Sequence, residues 1–125
     1  MTGNEIIKKT DRVTDLTGLI EMMGGKKHLI KDIIYAFLKQ IPEELDSLNT
    51  AVINSDYATI KSTAHTMMSS VLIVGISELS TVLLEIETLG SRSTDIERIK
   101  ELQKKVISVC GLAIKEIESE VHTYV

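Results

Sequence analysis

Apolar residues recur every three or four positions over most of the chain, which is the spacing of a helix with one buried face. The first series comprises Ile30, Ile34, Phe37, Ile41, Leu45, Leu48 and Val52. It predicts one long helix from about Lys26 to Asn54. Pro42 lies inside this helix, and because proline removes a backbone donor and crowds the preceding turn, we expect a bend there. The apolar stripe continues past Pro42, which favours one bent helix over two abutting helices.

Three further series of apolar residues follow at the same spacing. The second helix is expected to begin after a turn that ends at Asp56, the predicted N-cap, and to end at the structural turn Gly75. The third helix starts near Ser77 and is predicted to close at Leu89-Gly90, the pattern of a helix followed by a C′ glycine.

The remaining elements complete the predicted fold. Thr94 and Glu97 have the S/T-x-x-E spacing of a capping box and predict the start of a last helix with a five-turn apolar stripe. Residues 15–23 predict a short lead-in helix. Four amphipathic helices with short loops can bury their apolar faces only against one another. We therefore expect an all-α fold over residues 15–125, an antiparallel four-helix bundle with a short N-terminal lead-in helix. Disorder is one interpretation of the N-terminal tail, residues 1–14.

Composition and charge narrow the class of protein. The 125-residue chain has 14 basic and 18 acidic side chains, and this net charge of −4 disfavours a nucleic-acid partner. The longest apolar run, Val71 to Ile76, is far shorter than the roughly 20 residues that cross a bilayer. The N-terminus lacks the apolar core of a signal peptide, and the single cysteine, Cys110, cannot form an internal disulfide. These features predict one cytoplasmic domain that binds neither nucleic acid nor a membrane.

Candidate chemistry begins with the three histidines and the cysteine. His28, His65 and His122 lie far apart in sequence and form no metal-ligand motif, so no metal site is predicted. Cys110 has no histidine or basic residue one turn away and is interpreted as a small buried apolar residue. His65 lies one residue after a predicted core position, about 100° from the buried stripe, and is therefore expected to be exposed.

The residues around His65 follow a distinctive order. Ala64-His65 is followed by Met68 and Ser69 and, ten residues after the histidine, by Gly75. This segment resembles the histidine phosphotransfer (HPt) domain, in which an Ala-His-x-Leu-Lys-Gly-Ser-type segment on a four-helix bundle precedes Gly-Ala-x-x-Leu. The likeness runs from about residue 15 to residue 121. It implies that His65 accepts a phosphoryl group from a response-regulator aspartate or a histidine kinase and passes it to another receiver domain.

Two departures from the family pattern bear on the chemistry at His65. Met68 stands where the family usually has lysine, and Ser69 where it usually has glycine. An exposed ion pair typically contributes about 0.2–1 kcal/mol, so loss of the lysine need not abolish transfer. Lys61, one turn before His65, is expected to replace part of its effect. The expected receiver-docking surface comprises Lys61, Met68, Ser69 and Leu72.

The resemblance implies a phosphocarrier that is not itself an ATP-dependent kinase. The single chain has enough helices to close its own bundle, which favours a monomer. No nucleotide-binding loop and no acidic cluster with the spacing of a Mg²⁺ site is evident in the sequence. The chain is therefore expected to need no cofactor of its own, with Mg²⁺ bound by the partner receiver domain. One alternative is a module of the same fold that binds receivers without transferring phosphate. Another is a metal or redox protein that uses the histidines and Cys110.

Overall fold

The computed structural model describes residues 12–124 of the chain, and its secondary structure there is helical. The elements are α1 (Thr17–Met22), α2 (Lys27–Ile53), α3 (Tyr57–Ile73), α4 (Glu78–Arg92), α5 (Ile96–Glu120) and a short 3-10 helix (Val121–Tyr124). The predicted all-α fold class is confirmed. The loops between the four longer helices have only three or four residues, so consecutive helices run antiparallel. None of the helices in residues 12–124 is both long and apolar enough to cross a membrane.

The apolar stripes of the four longer helices form one common core. Each stripe follows the predicted spacing, and α2 remains a single helix across Pro42. Asp56 is the N-cap of α3, as predicted, with Oδ1 accepting a hydrogen bond from the N–H of Thr59 at 3.2 Å. On α3 the buried residues are Ile60, Ala64, Met67 and Val71. This spacing turns the opposite face of α3 towards solvent.

The predicted end of α4 at Leu89-Gly90 is wrong. The helix continues to Arg92, and Gly90 lies buried inside its last turn. Ser93 adopts the left-handed conformation that caps the helix, with a φ of +50°. The N–H groups of Ser93 and Thr94 donate to carbonyls of the last turn at 3.1 and 3.2 Å, so this helix end needs no glycine cap.

The predicted capping box at the start of α5 is also wrong, by one residue. Asp95 is the N-cap, and its Oδ1 accepts a hydrogen bond from the N–H of Arg98 at 3.2 Å. The N–H of Thr94, which a capping box would pair with Glu97, is bound instead to the carbonyl of Leu89 in α4. The three-residue loop contains both caps: Ser93 caps the end of α4 and Asp95 caps the start of α5.

The N-terminal segment is attached to α5. Residues 1–11, and with them most of the predicted tail, lie outside the described residues. Residues 12–14 lie against Glu116, whose carboxylate accepts hydrogen bonds from the N–H groups of Val13 and Thr14 at 2.9 and 3.1 Å. The Thr14 hydroxyl donates to the same carboxylate at 2.7 Å. These contacts bring the start of the described chain to the C-terminal part of α5.

The turn between α3 and α4 is closed against the N-terminal segment. Asp15 donates its N–H to the carbonyl of Val74 at 3.0 Å. Gly75 has a φ of +70°, and a β-carbon at this position would lie 2.1 Å from the carbonyl oxygen of Asp15. Any other residue would both strain the backbone and collide with this segment. The turn thereby sets where α4 begins and which residues of α3 and α4 face each other.

Candidate functional site

His65 lies on the solvent-facing side of α3, where the sequence spacing predicts it. Its side chain is 75% exposed, whereas the preceding Ala64 is fully buried. Met67, two residues later, belongs to the core, as predicted. The imidazole is thus open to a second molecule while its backbone is held by the packed face of the same helix.

Glu87 of α4 fixes the orientation of the imidazole. Oε2 of Glu87 lies 3.1 Å from Nδ1 of His65, and the Glu87 side chain is only 24% exposed. An ionised carboxylate has no proton to donate, so Nδ1 of His65 carries the hydrogen in this contact. In the neutral ring, the lone pair is then on Nε2. The contact leaves Nε2 as the nucleophilic nitrogen.

Sequence reasoning missed Glu87, although a signal was available. The two residues are 22 positions apart and lie on different helices, so no local motif connects them. His65 lies eight residues before the last residue of α3, and Glu87 nine residues after the first residue of α4. Two positions at nearly equal distance from a short loop face each other in an antiparallel pair, because each residue adds the same 1.5 Å rise.

A second feature of the site is an open groove on the other flank of α3. This α2–α3 groove has a volume of about 450 Å³ and adjoins His65. Its main lining residues are Ile33, Phe37, Gln40, Glu44, Ser69 and Ile73. The groove is mostly apolar, with polar side chains at one end. It offers concave apolar surface directly beside the exposed imidazole.

Glu44 is the charged group in the α2–α3 groove. It is half-buried, and Oε1 accepts a hydrogen bond from the hydroxyl of Ser70 at 3.2 Å. Burial raises the pKa of the Glu44 carboxyl above its ordinary value, the hydrogen bond from Ser70 opposes this rise, and the charge of Glu43 adds to it. The groove therefore contains a carboxylate that is less stable in its charged form than one in water.

The four residues expected to form the docking surface are divided between the two flanks of α3. Ser69 is exposed and lines the α2–α3 groove, and Leu72 is 54% exposed. Lys61 lines a shallow recess with His65 and Glu87. Met68 is half-buried and packs against the core. Their assignment as a docking surface stays a prediction.

The remaining candidate ligands and nucleophiles are not assembled into a site. Within residues 12–124, no three His, Cys, Asp or Glu side chains are grouped so that they could hold a metal ion. His28 and His122 are exposed on α2 and on the 3-10 helix. Cys110 is fully buried, as predicted, and burial, with the charge of Glu44 adding to it, raises the pKa of its thiol to about 12. A thiol with this pKa is a packing group rather than a nucleophile at neutral pH.

Comparison with known protein families gives a match that covers both the helical fold and the site around His65. The fold and the exposed histidine define a small helical module with the imidazole of His65 open to solvent. The family model of the Hpt domain matches residues 32–120, which is well over half of the chain and includes both His65 and Glu87. The chain therefore belongs to the Hpt domain family, whose members are histidine phosphotransfer modules of phosphorelays. Searches of curated proteins and of solved structures give no significant match.

Proposed function

We propose that this protein carries a phosphoryl group on Nε2 of His65. The group arrives from a receiver-domain aspartate or a histidine kinase and leaves to the aspartate of a receiver domain. The observation that supports this proposal is the geometry of His65, which is exposed and hydrogen-bonded through Nδ1 to Glu87. Membership of a family of phosphocarriers supports it independently.

The transfer chemistry uses both nitrogens of the ring. The Nε2 lone pair attacks the phosphorus of an aspartyl phosphate, an N–P bond forms, and the P–O bond to the carboxylate breaks with its electron pair going to aspartate. The ring thereby gains positive charge, which the hydrogen-bonded carboxylate of Glu87 stabilises through Nδ1–H. The site need only position one imidazole, because phosphoryl transfer depends mainly on positioning and electrostatic stabilisation.

The second transfer runs the same steps in reverse. The carboxylate of the next receiver attacks phosphorus, and the N–P bond breaks with its electron pair returning to Nε2. Because Nδ1 keeps its proton, hydrogen-bonded to the Glu87 carboxylate, throughout both transfers, His65 leaves as neutral imidazole rather than as an imidazolate anion. The receiver would supply the aspartate and a bound Mg²⁺, which would neutralise charge on the transferring group. This division of roles supports a carrier that has no ATP-dependent kinase activity of its own.

A receiver-binding module that transfers no phosphate is the competing function, and Met68 favours it. A lysine at this position would supply a cation next to a phosphorylated His65, whereas the half-buried thioether of Met68 supplies none. Lys61, one turn back on α3, is an alternative cation and lines the recess that contains His65. A pure receiver-binding module should tolerate H65Q, whereas a phosphocarrier should not.

Transfer from a phosphorylated receiver distinguishes the two functions. The purified protein is mixed with receiver domains charged by a small phosphodonor and Mg²⁺, and phosphate on the protein is tested for the acid lability and base stability of phosphohistidine. We expect label on the wild type, none on H65Q, and wild-type label on H28Q and H122Q, which remove other exposed histidines. Receivers that bind the wild type and H65Q equally but transfer no label would instead establish the binding module.

A further inference from the structure

Gly90 occupies a position on α4 where the backbone does not require glycine. The residue lies in the last turn of the helix. Its φ is not positive, unlike the φ of Gly24, Gly25 and Gly75. Any residue could adopt this backbone conformation, and glycine is among the least favourable residues within a helix. Another constraint must therefore explain glycine here.

Space between α3 and α4 supplies this constraint. A β-carbon on Gly90 would lie 3.0 Å from the backbone nitrogen of Lys61, 3.2 Å from its Cα and 3.2 Å from its Cβ. Carbon atoms in favourable contact are separated by about 3.5–4.0 Å. Because the nearest neighbours are backbone atoms of α3, rotation of a side chain cannot relieve the overlap. The two helices would have to move apart by a few tenths of an ångström.

This close contact lies one turn away from the contact between His65 and Glu87. Lys61 precedes His65 by four residues on α3, and Gly90 follows Glu87 by three residues on α4. In an antiparallel pair, Lys61–Gly90 and His65–Glu87 are therefore successive contacts along the same interface. The distance between the helix axes at Gly90 sets how far the Glu87 carboxylate must reach to keep its 3.1 Å contact with Nδ1.

We infer that Gly90 is a positioning residue for His65: its missing side chain lets α4 approach the backbone of α3 at Lys61 and so holds Glu87 within hydrogen-bonding distance of the imidazole. The importance of Gly90 for transfer rests on the proposed function, but its effect on the ring does not. Adding one methyl group at Gly90 separates the helices, lengthens the contact from Nδ1 to Oε2 and releases the ring from its fixed tautomer.

The chain contains a matched control for this substitution. Gly111 is also a glycine inside a long helix, α5, but a β-carbon there would meet no atom within 4 Å. G111A therefore adds the same methyl group without moving a helix. E87Q provides the reference for a ring that has lost its carboxylate, with little change in side-chain volume.

The tautomer of His65 is measured first, by ¹⁵N NMR of the imidazole nitrogens. We expect the wild type and G111A to hold the proton on Nδ1, and G90A to shift towards the Nε2–H form in the same direction as E87Q. In phosphotransfer, G90A and E87Q should each be slower by about 1.4- to 5-fold, the range that an exposed hydrogen-bonded ion pair supports. The E87Q/G90A double variant should be no slower than E87Q, because Gly90 acts through Glu87.

The outcomes separate this inference from the proposed function. A wild-type tautomer in G90A would overturn the role of Gly90, whatever the transfer rate. If G90A shifts the tautomer but even the wild type accepts no phosphate, the proposed function fails and the positioning role stands. Should G90A unfold, the measurement is repeated in the G111A background, since alanine stabilises a helix at an open position. A G90A/G111A protein that is still unfolded would also overturn the inference, because the whole bundle would then require Gly90.

Discussion

The two flanks of α3 differ in how closely the neighbouring helices pack. On the α4 flank, Gly90 brings the helix backbones together and Glu87 binds Nδ1 of His65. On the α2 flank, the α2–α3 groove separates Phe37 from Ile73 and contains the half-buried Glu44. The same imidazole therefore has one side fixed by protein contacts and another beside open apolar surface.

This difference indicates that stability alone does not explain why the groove on the α2 flank is left unfilled. Protein interiors are normally filled to high packing density, and an unfilled apolar groove forgoes contacts that larger side chains could make. The α4 flank shows that this chain can pack two helices tightly where the site requires it. We therefore expect the α2–α3 groove to be covered when a receiver domain binds, while the α4 flank stays unchanged.

The largest expected effect follows from placing a charge in the open groove. Ile73 lines the groove and is 38% exposed, so I73D puts a carboxylate where a receiver would bury apolar surface. We expect the Kd for a receiver to rise roughly 30-fold, corresponding to about 2 kcal/mol, as for an interface hot spot. The free energy of unfolding should fall by about 1–2 kcal/mol, because more than half of the Ile73 side chain is buried and a carboxylate at the last residue of α3 opposes the helix dipole.

Isothermal titration calorimetry with an unphosphorylated receiver domain measures this change in Kd. Leu112 on α5 is 49% exposed and lies outside the groove, so L112D controls for the added charge and should bind like the wild type. Equal binding by I73D and the wild type would show that the receiver does not cover this flank. The contrast between the flanks would then have to be explained without a partner.

A smaller effect is expected on the tightly packed side, from restoring the cation that the family usually has. Met68 is half-buried, so a lysine there would extend its aliphatic part along the surface and place its ammonium group near His65. M68K should shift the transfer equilibrium towards phosphorylated His65 by about 1.4- to 5-fold, the range of an exposed ion pair. The fraction of label on the protein at equilibrium with a phosphorylated receiver measures this shift, and L112K controls for net charge. An unchanged fraction would indicate that the site already compensates for the missing lysine, and a smaller fraction would show that a lysine at this position disfavours phosphorylated His65.

Features that depend on one helix could be predicted from the sequence. Asp56 as an N-cap, Met67 in the core and the exposure of His65 all follow from spacing along a single helix, and the structure confirms them. Helix period and cap chemistry are local, so each can be derived from neighbouring residues. The predicted fold class required only that such helices bury their stripes together.

Features that depend on two helices could not be predicted in this way. Glu87 contacts His65 only because the turn at Gly75 sets how α3 and α4 align. Gly90 was interpreted as a helix end, because glycine after an apolar series usually is one, but its role depends on the backbone of Lys61 across the interface. The same dependence on a neighbour explains the misplaced capping box, since α4 had already engaged the N–H of Thr94.

The smallest effect tests whether the open flank costs stability in the free protein. Because burial raises the pKa of the Glu44 carboxyl, with Ser70 opposing and Glu43 adding to the rise, the folded state binds a proton at Glu44 more tightly than the unfolded state does. The charged form is therefore unfavourable above the folded-state pKa, and this penalty disappears below the ordinary value of 4.5. E44Q should be more stable than the wild type at pH 7, by less than about 1 kcal/mol, and the difference should shrink as the pH falls through that range.

Urea unfolding of both proteins at pH 7 and near pH 4 measures the difference, in which the titration of shared groups cancels. Substitution of Glu85 should change the free energy of unfolding in the opposite direction, because its hydrogen bond from Arg98 lowers the pKa of its carboxyl. E85Q should therefore lose stability at pH 7 and approach the wild type in acid. If E44Q is instead less stable than the wild type at pH 7, the hydrogen bond from Ser70 outweighs the cost of burial. Glu44 would then belong to the packed structure of the bundle, and the α2 flank would be less open to a partner than its shape indicates.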